Sequence, residues 1–417
     1  MHYVIIGNGI AGISAAQVIR ERDEDSQITI IGDESKHFYA RTALMWAYTG
    51  QLSRRDLEPF ERRYWSENRF DLIADQVVSI DAEKRNLSLD KSGPIAYDKL
   101  LLATGSVANL FGWPGQDLEG VCTFTTLPDL DRLDSWQGKV KQAVVIGGGL
   151  VGIELVEILL HDGVEVTYLI REPWYFNLML SKPEADLVHK KLIKEGAQVI
   201  YNDEIQEIRG DGGTVTSLLT KQGSEIPCGL VAIAVGVHPR TDLAKNSAIE
   251  CGRGIVVDRS FRTSVPDVWA AGDCAEIREP DQDKGLIQAL WYTANKQGIQ
   301  VGRAMVGDEI HYDPGIPYNS AQFLFLDYVT VGWTKHLNPE LTEYEWLDQD
   351  QEHAVRIAYD ESERVKGFSL LGPRYRAATL MRWIEEGRKL AYVRKRLAQA
   401  AYNEEFSPVM RKGLTYV

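Results

Sequence analysis

The feature that most constrains this chain is a glycine pattern that occurs twice, each time directly after a short apolar run. The two copies read YVIIGNGIAG from Tyr3 and AVVIGGGLVG from Ala143. A helical pattern and then a second strand-like run follow each copy. In such a β-α-β unit the first glycine allows a tight turn, the second lets a ligand approach the backbone, and the third lets helix and strand touch. Because free N–H groups at a helix start favour phosphate, the pattern predicts two dinucleotide sites.

The residues after the second strand of each unit differ between the two copies. Asp33 and Glu34 follow the first of these strands, where a carboxylate can accept hydrogen bonds from a ribose. Arg171 and Glu172 follow the second. An arginine at this place fits a 2′-phosphate, so the pattern favours NADP, while the adjacent glutamate leaves NAD open.

Further candidates lie at other strand ends. Arg41 follows a strand end, where a guanidinium is suited to a pyrophosphate, although a surface arginine is the alternative. The apolar run Lys99–Ala103 stops at a turn that begins with Thr104. Asp273 follows a buried run and the tight turn at Gly272, and its alternative role is that of a helix N-cap.

The last quarter of the chain has a different pattern. Ala321–Val331 is strand-like and aromatic, and Val355–Tyr359 with Val365–Leu371 predicts a hairpin. Ala377–Tyr402 is mostly helical, with an apolar stripe that indicates ordinary core. The stripe consists of Leu380, Trp383, Ile384, Leu390, Val393 and Leu397.

Length and composition exclude several classes of protein. A chain of 417 residues is too long for one compact core, so two or three domains are expected. No stretch approaches the roughly 18 apolar residues of a membrane span. The wide spacing of the four cysteines argues against a disulfide framework, a metal site or an iron–sulfur cluster, and favours a reducing cytoplasm. These cysteines are Cys122, Cys228, Cys251 and Cys274.

Charge is distributed unevenly along the chain. The net charge of −14 disfavours nucleic acid and anionic membranes as partners. Residues 372–417 nevertheless carry ten Lys or Arg against four Glu. One interpretation is a solvated helical face, and the other is a docking surface for an acidic partner, with Arg394, Lys395 and Arg396 at its centre.

The order of these motifs resembles the FAD- and NAD(P)-dependent pyridine nucleotide–disulfide oxidoreductase superfamily, over residues 1 to about 307. The resemblance implies an α/β fold with two Rossmann-like dinucleotide-binding domains, the NAD(P) domain being inserted in the FAD domain, and an α+β C-terminal domain ending in helices. On this pattern the FAD domain comprises residues 1–115 and 242–310, the NAD(P) domain 116–241, and a C-terminal interface domain 311–417.

The resemblance also implies roles for particular residues. The candidate FAD contacts are Gly7, Gly9, Ala11, Gly12, Asp33, Glu34, Arg41, Val78, Ala103, Thr104, Gly105, Gly272, Asp273 and Trp291. The candidate contacts of the nicotinamide nucleotide are Gly147, Gly149, Leu150, Val151, Gly152, Arg171 and Gly236. Glu154, expected near the nicotinamide and flavin, and Trp291, expected beside the flavin pyrimidine ring, are the candidate catalytic residues.

At several positions that decide the chemistry, this chain lacks residues that members of the superfamily carry. It has no cysteine before Cys122, whereas relatives that reduce disulfides or peroxide carry one or two after the first unit, one of them at Thr42. Members that reduce ferredoxins have a lysine at Trp46 and an FAD-contacting arginine near Thr125. Both are absent here, and Arg41 is the basic residue available to compensate.

These observations predict a FAD-dependent oxidoreductase that exchanges electrons between NAD(P)(H) and an iron–sulfur carrier or subunit, in either direction. The resemblance is to ferredoxin and rubredoxin reductases and to the flavin part of nitrite reductase, and an oligomer or a heteromeric complex is possible. One alternative is an NAD(P)H oxidase that reacts with O₂. The other is a non-catalytic redox-sensing or assembly subunit in which Trp46 and Trp291 cover the flavin.

Overall fold

The computed structural model describes residues 1–279, 282–324, 326–348 and 353–402. Its strands follow the apolar runs of the sequence. In chain order they are β1 (His2–Ile6), β2 (Gln27–Gly32), β3 (Phe70–Ala74), β4 (Val77–Asp81), β5 (Asn86–Leu89), β6 (Ile95–Ala96), β7 (Lys99–Leu102), β8 (Ser106–Ala108), β9 (Val121–Cys122), β10 (Gln142–Ile146), β11 (Glu165–Ile170), β12 (Gln198–Tyr201), β13 (Ile205–Asp211), β14 (Thr214–Thr220), β15 (Glu225–Pro227), β16 (Leu230–Ile233), β17 (Val237–Pro239), β18 (Ile255–Val257), β19 (Val268–Ala270), β20 (Ala275–Ile277), β21 (Tyr318–Phe323), β22 (Leu326–Gly332), β23 (Thr342–Leu347), β24 (Ala354–Tyr359) and β25 (Val365–Gly372).

Some of the helices begin at recognisable sequence signals. They are α1 (Ile10–Arg22), α2 (Leu44–Tyr48), α3 (Arg62–Glu67), α4 (Leu127–Asp134), α5 (Leu150–His161), α6 (Lys182–Lys194), α7 (Asp242–Lys245), α8 (Trp291–Met305), α9 (Ala377–Glu385) and α10 (Leu390–Arg396), with short 3₁₀ helices at Arg41–Ala43, Arg54–Leu57 and Leu397–Ala400. Ser181 accepts a hydrogen bond from the backbone of Glu184, whose side chain accepts one in return, and this capping box starts α6. The glycine turns start α1 and α5 without a side-chain cap, so their N–H groups remain available to a ligand.

The first compact unit comprises Met1–Asn109, Thr123–Ser135 and Gly236–Asp313. Its central sheet is parallel, with strand order β19-β7-β1-β2-β3. β1 is buried on both faces, as expected for a parallel strand covered by helices. The carboxyl end of β1 therefore lies where the chain order of the sheet reverses, which is the usual ligand position in this architecture.

Two glycines of α8 allow it to approach α1 closely. A Cβ on Gly298 would lie 2.4 Å from the carbonyl oxygen of Ala11, and one on Gly302 would lie 2.8 Å from that of Ala15. A side chain at either place would push the two helices apart. This close contact holds α8 against α1, the helix that follows the first glycine turn.

The second compact unit comprises Leu110–Cys122, Trp136–Val235 and the chain from Pro314 onward. It repeats the parallel sheet with strand order β12-β11-β10-β16-β9 and adds the antiparallel sheet β13-β14-β15. A second antiparallel sheet, β21-β22-β25-β24-β23, is covered by α9 and α10 through the apolar stripe. The predicted α/β fold with two Rossmann-like units and an α+β C-terminal part is confirmed, whereas the predicted domain boundaries stay a prediction.

Two expectations about the C-terminal part are confirmed. The strand-like run Ala321–Val331 belongs to the hairpin of β21 and β22, which turns at Leu324 in a left-handed backbone conformation. The mostly helical stretch Ala377–Tyr402 contains α9 and α10, and Gly387, with φ of +61°, ends the first of them. Residues 403–417, part of the predicted basic stretch, lie outside the described residues.

The contact between α1 and α8 generates a stability prediction. We expect Gly298→Ala to lower the free energy of unfolding by about 2 kcal/mol, because the added methyl group forces the helices apart. Urea unfolding followed by circular dichroism measures the change. Gly93→Ala is the matched control, since its Cβ would meet open space, and equal loss in both variants would contradict the prediction.

Candidate functional site

The first glycine turn is shaped for a phosphate group. The Gly7 N–H donates to the carbonyl of Ile31, at 2.8 Å, and fixes the turn beside β2. Gly7 has a φ of +109°, and a Cβ there would lie 2.1 Å from the carbonyl oxygen of Ala103. Gly9, at the start of α1, faces open space. The uncapped start of α1 and the open space at Gly9 thus fit a dinucleotide pyrophosphate.

The second glycine turn repeats this geometry in the second unit. The Gly147 N–H donates to the carbonyl of Leu169, at 3.0 Å, and a Cβ on Gly147 would lie 2.3 Å from the carbonyl oxygen of Ala234. Gly149, before α5, faces open space. The buried Tyr168 hydroxyl donates to the Gly147 carbonyl from beneath, at 2.9 Å. Each unit therefore presents a complete cradle for one dinucleotide.

A cavity of about 290 Å³ in the first unit brings several predicted residues together. Gly7, Asp33, Val78 and Thr104, all candidates from the sequence, line it. The remaining lining residues are Ile6, Ile31, Asp75, Gln76, Val77, Arg240, Asp242, Leu243 and Asn246. The presence of the predicted ribose contact Asp33 and the predicted FAD contact Val78 in one cavity fits the adenosine half of FAD.

Arg240 and Asp242 were missed by the sequence analysis. They follow β17, which pairs antiparallel with β8 and returns the chain to the first unit. The only local signal was the Gly-Val-His-Pro-Arg segment after β16. The contact between β17 and β8 spans more than one hundred residues, so no local pattern reveals it.

Glu34 and Arg41 form one network rather than two separate contacts. The Glu34 carboxylate accepts hydrogen bonds from the Tyr39 hydroxyl, from the backbone N–H of Leu127 at 2.7 Å, and from Arg41 at 2.9 Å. Arg41 also donates to the carbonyl oxygen of Thr125. The guanidinium therefore reaches the segment in which the resemblance places an arginine, which supports the expectation that Arg41 compensates for its absence.

Asp273 belongs to a turn that joins two parts of the first unit. Its carboxylate accepts a hydrogen bond from the Ser106 hydroxyl at 2.7 Å, next to the Ala103–Gly105 turn. Burial raises the pKa of Asp273, against the opposing effects of Ser106 and Arg41. The strand β20 follows Asp273, so the alternative role as a helix N-cap is wrong.

Trp291 is placed by α8, whose first residue it is. Its indole Nε1 is buried and has no hydrogen-bond partner among the described residues. Buried indole N–H groups usually find an acceptor. The orphaned donor therefore fits a bound group that carries an acceptor, as a flavin ring does.

Glu154 and Glu157 share one face of α5. Burial, with a smaller effect from Glu157, raises the pKa of Glu154 to about 7. Glu157 accepts a hydrogen bond from the Leu324 N–H at 2.8 Å, which ties α5 to the β21–β22 turn. Glu154 is thus a carboxyl group of the second unit that can hold a proton near neutral pH.

At the end of β11, Arg171 donates to one carboxylate oxygen of Glu172 at 2.8 and 3.2 Å. The other oxygen of Glu172 would lie 3.8 Å from a Cβ on Gly148, in the glycine turn. The positive charge that favoured NADP is therefore compensated by the Glu172 carboxylate.

The comparisons with known proteins agree with this geometry. Residues 1–298 match the family model described as pyridine nucleotide-disulphide oxidoreductase. The chain belongs to this family. The two cradles and the family together confirm FAD and NAD(H) or NADP(H) as the cofactors.

Among curated relatives, a nitrite reductase [NAD(P)H] of Bacillus subtilis is 33% identical over 308 residues, covering 73% of this chain and 37% of that protein. The chain thus spans little more than a third of this relative. A rubredoxin-NAD(+) reductase of Pseudomonas putida is 30% identical over 280 residues, covering 67% of this chain and 73% of that protein. The solved structure of a ferredoxin reductase from Rhodopseudomonas palustris is 25% identical, with a TM-score of 0.83, and the match covers 94% of this chain and 98% of that one.

Two features are absent from the part of the chain that the structure describes. No group of three or more His, Cys, Asp or Glu side chains is arranged to hold a metal ion. No helix is both long and apolar enough to cross a bilayer.

The raised pKa of Glu154 generates a pH-dependent prediction. The folded carboxyl group binds its proton more tightly than the unfolded one, so the free energy of unfolding falls as pH rises from about 4.5 to about 7. We expect Glu154→Gln to be more stable than the parent protein by about 3 kcal/mol at pH 8 and equal to it at pH 4.5.

Denaturant unfolding at the two pH values measures this difference. Glu21→Gln, at an exposed position of α1, serves as the control. A stability difference between Glu154→Gln and the parent that does not change with pH would contradict the prediction.

Proposed function

We propose that this chain is a FAD-dependent NAD(P)H oxidoreductase that passes electrons between a nicotinamide nucleotide and an iron–sulfur carrier or subunit, without a redox-active cysteine. The direction of electron flow is left open. Since the chain spans only part of some relatives, its partner is proposed by chemical class, as a one-electron iron–sulfur protein.

The observation that carries this proposal is that the cysteine thiols are shielded from solvent in a chain that has two dinucleotide cradles. Cys122, Cys228 and Cys274 are buried, and Cys251 is half-buried. Burial raises the pKa of Cys228 to about 12 and also raises the pKa of Cys251 and Cys274. Thiol–disulfide exchange and peroxide reduction both begin with an accessible thiolate. Electron transfer through a flavin needs none.

When bound, FAD supplies the exchange between two-electron and one-electron chemistry. The residues of this chain would hold and orient the cofactor. The glycine turns and uncapped helix starts would face the two pyrophosphates, and Asp33 would accept hydrogen bonds from the adenosine ribose. Arg41, paired with Glu34, would contribute positive charge near the phosphates, and Trp291 would offer its indole N–H to the flavin.

The names of relatives support the class of partner. The relatives are reductases of rubredoxin and ferredoxin and a nitrite reductase. We propose an iron–sulfur protein or an iron–sulfur subunit of a larger complex as the partner of this chain, with an oligomer or a heteromeric complex as its assembly. The four free thiols support a reducing compartment, and we propose the cytoplasm.

Anaerobic flavin reduction tests the proposal. We expect the protein reconstituted with FAD to bleach within seconds on addition of NADH or NADPH, and then to reduce an added ferredoxin or rubredoxin. Rates with the two nucleotides also decide cofactor preference. No bleaching within minutes would favour the redox sensor, and fast turnover with O₂ but none with a carrier would favour the oxidase.

The basic C-terminal surface supports the partner class. The guanidinium of Arg394 lies 4.2 Å from the centre of the Tyr344 ring, and its Nε is buried. Arg388 and Arg396 both stack on Tyr392, at 4.5 and 4.2 Å. Lys395 is exposed beside them. Arg388, Lys395 and Arg396 thus form a basic surface on and next to α10, which is suited to an acidic carrier.

Charge reversal on this surface generates a prediction. We expect Lys395→Glu with Arg396→Glu to slow reduction of an acidic ferredoxin about tenfold at low salt, and to leave flavin reduction by NAD(P)H unchanged. Stopped-flow absorbance separates the two steps. The matched control is Lys190→Glu with Lys194→Glu, exposed on α6. The docking proposal fails if both pairs slow the carrier equally.

A further inference from the structure

Two neighbouring cavities of the first unit share one wall. The cavity of about 290 Å³ described above contains the predicted ribose contact Asp33. A second, polar cavity of about 380 Å³ lies beside it. Asp33, Asp75, Gln76 and Arg240 line both cavities. Arg240 is the only cation among these four shared residues, and no motif in the sequence predicted a role for it.

The backbone of Arg240 is held against the turn after β7. Its N–H donates to the carbonyl of Gly105 at 3.0 Å, and its own carbonyl accepts a hydrogen bond from the Thr104 hydroxyl at 2.8 Å. The preceding residue, Pro239, pairs with Ser106 in the β17–β8 ladder. Three contacts therefore fix the position from which the side chain starts.

The side chain of Arg240 extends to the predicted ribose contact. Its Nη2 lies 2.7 Å from Oδ2 of Asp33, and the two side chains are 41% and 37% exposed. A pair so open to solvent contributes little to folding by itself, roughly 0–1 kcal/mol. The pair instead orients the Asp33 carboxylate. The guanidinium of Arg240 holds Oδ2, while Oδ1 remains available to the hydroxyl groups of a ribose.

We propose that Arg240 is a cofactor-positioning residue that holds Asp33 in the ribose-binding orientation and contacts the adenosine half of FAD. This inference rests on the FAD site of the proposed function. A guanidinium is suited to the task because its plane can stack on an adenine while its N–H groups bind the carboxylate. The chain segment that returns from the second unit thereby takes part in holding FAD.

Replacement of Arg240 tests the inference through FAD affinity. We expect Arg240→Ala to raise the Kd for FAD about tenfold, because Asp33 loses its orienting partner and the adenosine loses a contact. The measurement is quenching of flavin fluorescence during titration of the apoprotein. The Kd for FMN, which lacks the adenosine, should change less than twofold.

A matched control comes from the same unit. Arg22 forms an ion pair with Asp308 at 2.9 Å, and its side chain is similarly exposed, but it does not line either cavity. Arg22→Ala should leave the Kd for FAD unchanged. The conservative Arg240→Lys should lie between the parent and Arg240→Ala, since an ammonium keeps the charge but not the planar fork.

A double-mutant cycle with Asp33→Asn separates positioning from general destabilisation. If Arg240 acts partly through Asp33, the loss of affinity in the double variant should be smaller than the two single losses combined. Fully additive effects would overturn the positioning role.

The failure of this inference is distinguishable from that of the proposed function. If Arg240→Ala binds FAD as tightly as the parent, or loses FAD and FMN affinity equally, the role of Arg240 is wrong while the flavoenzyme assignment stands. If the parent apoprotein takes up no FAD, the proposed function itself is wrong.

Discussion

The structure depends on backbone touching backbone at the two glycine turns. At Gly7 and Gly147 the chain passes so close to a neighbouring strand end, at Ala103 and Ala234, that no Cβ fits. This contact places each turn over the point where the order of the strands reverses. Helix N-termini, strand ends and open volume meet there, so cofactor binding follows from the topology and not from any single side chain.

Charged side chains have two different roles in this backbone arrangement. In the first unit, the pair of Asp33 with Arg240 joins segments that are distant in sequence, and the neighbouring pair of Glu34 with Arg41 binds the backbone near Leu127. These pairs are partly exposed, so they orient groups at a ligand edge more than they stabilise the fold. In the second unit, Arg356 and Glu184 are almost fully buried and lie 2.9 Å apart. Such a pair must stay complete, because a lone buried charge is costly.

The thiols explain how one fold serves different chemistry. The family is named for disulphide reduction, yet the four cysteines of this chain are inside strands or turns or against the core. The resemblance places a cysteine of some relatives at Thr42, and a threonine hydroxyl cannot form a thiolate. What remains is a scaffold that holds two nucleotides, and this is sufficient where a flavin carries the electrons.

The sequence by itself determined the two dinucleotide units, because their glycines, strands and helices are contiguous and each signal is local. It also identified Asp33, Val78 and Thr104, which line one cavity. Only the tertiary structure revealed Arg240, since β17 meets β8 across more than one hundred residues. The same holds for the packing of the Arg394 guanidinium on the Tyr344 ring, because the two residues lie in different elements. The periodicity of apolar residues indicates which face of a helix or strand is buried. Pairing between distant strands depends on the energy of the whole fold, so a short stretch of sequence does not predict it.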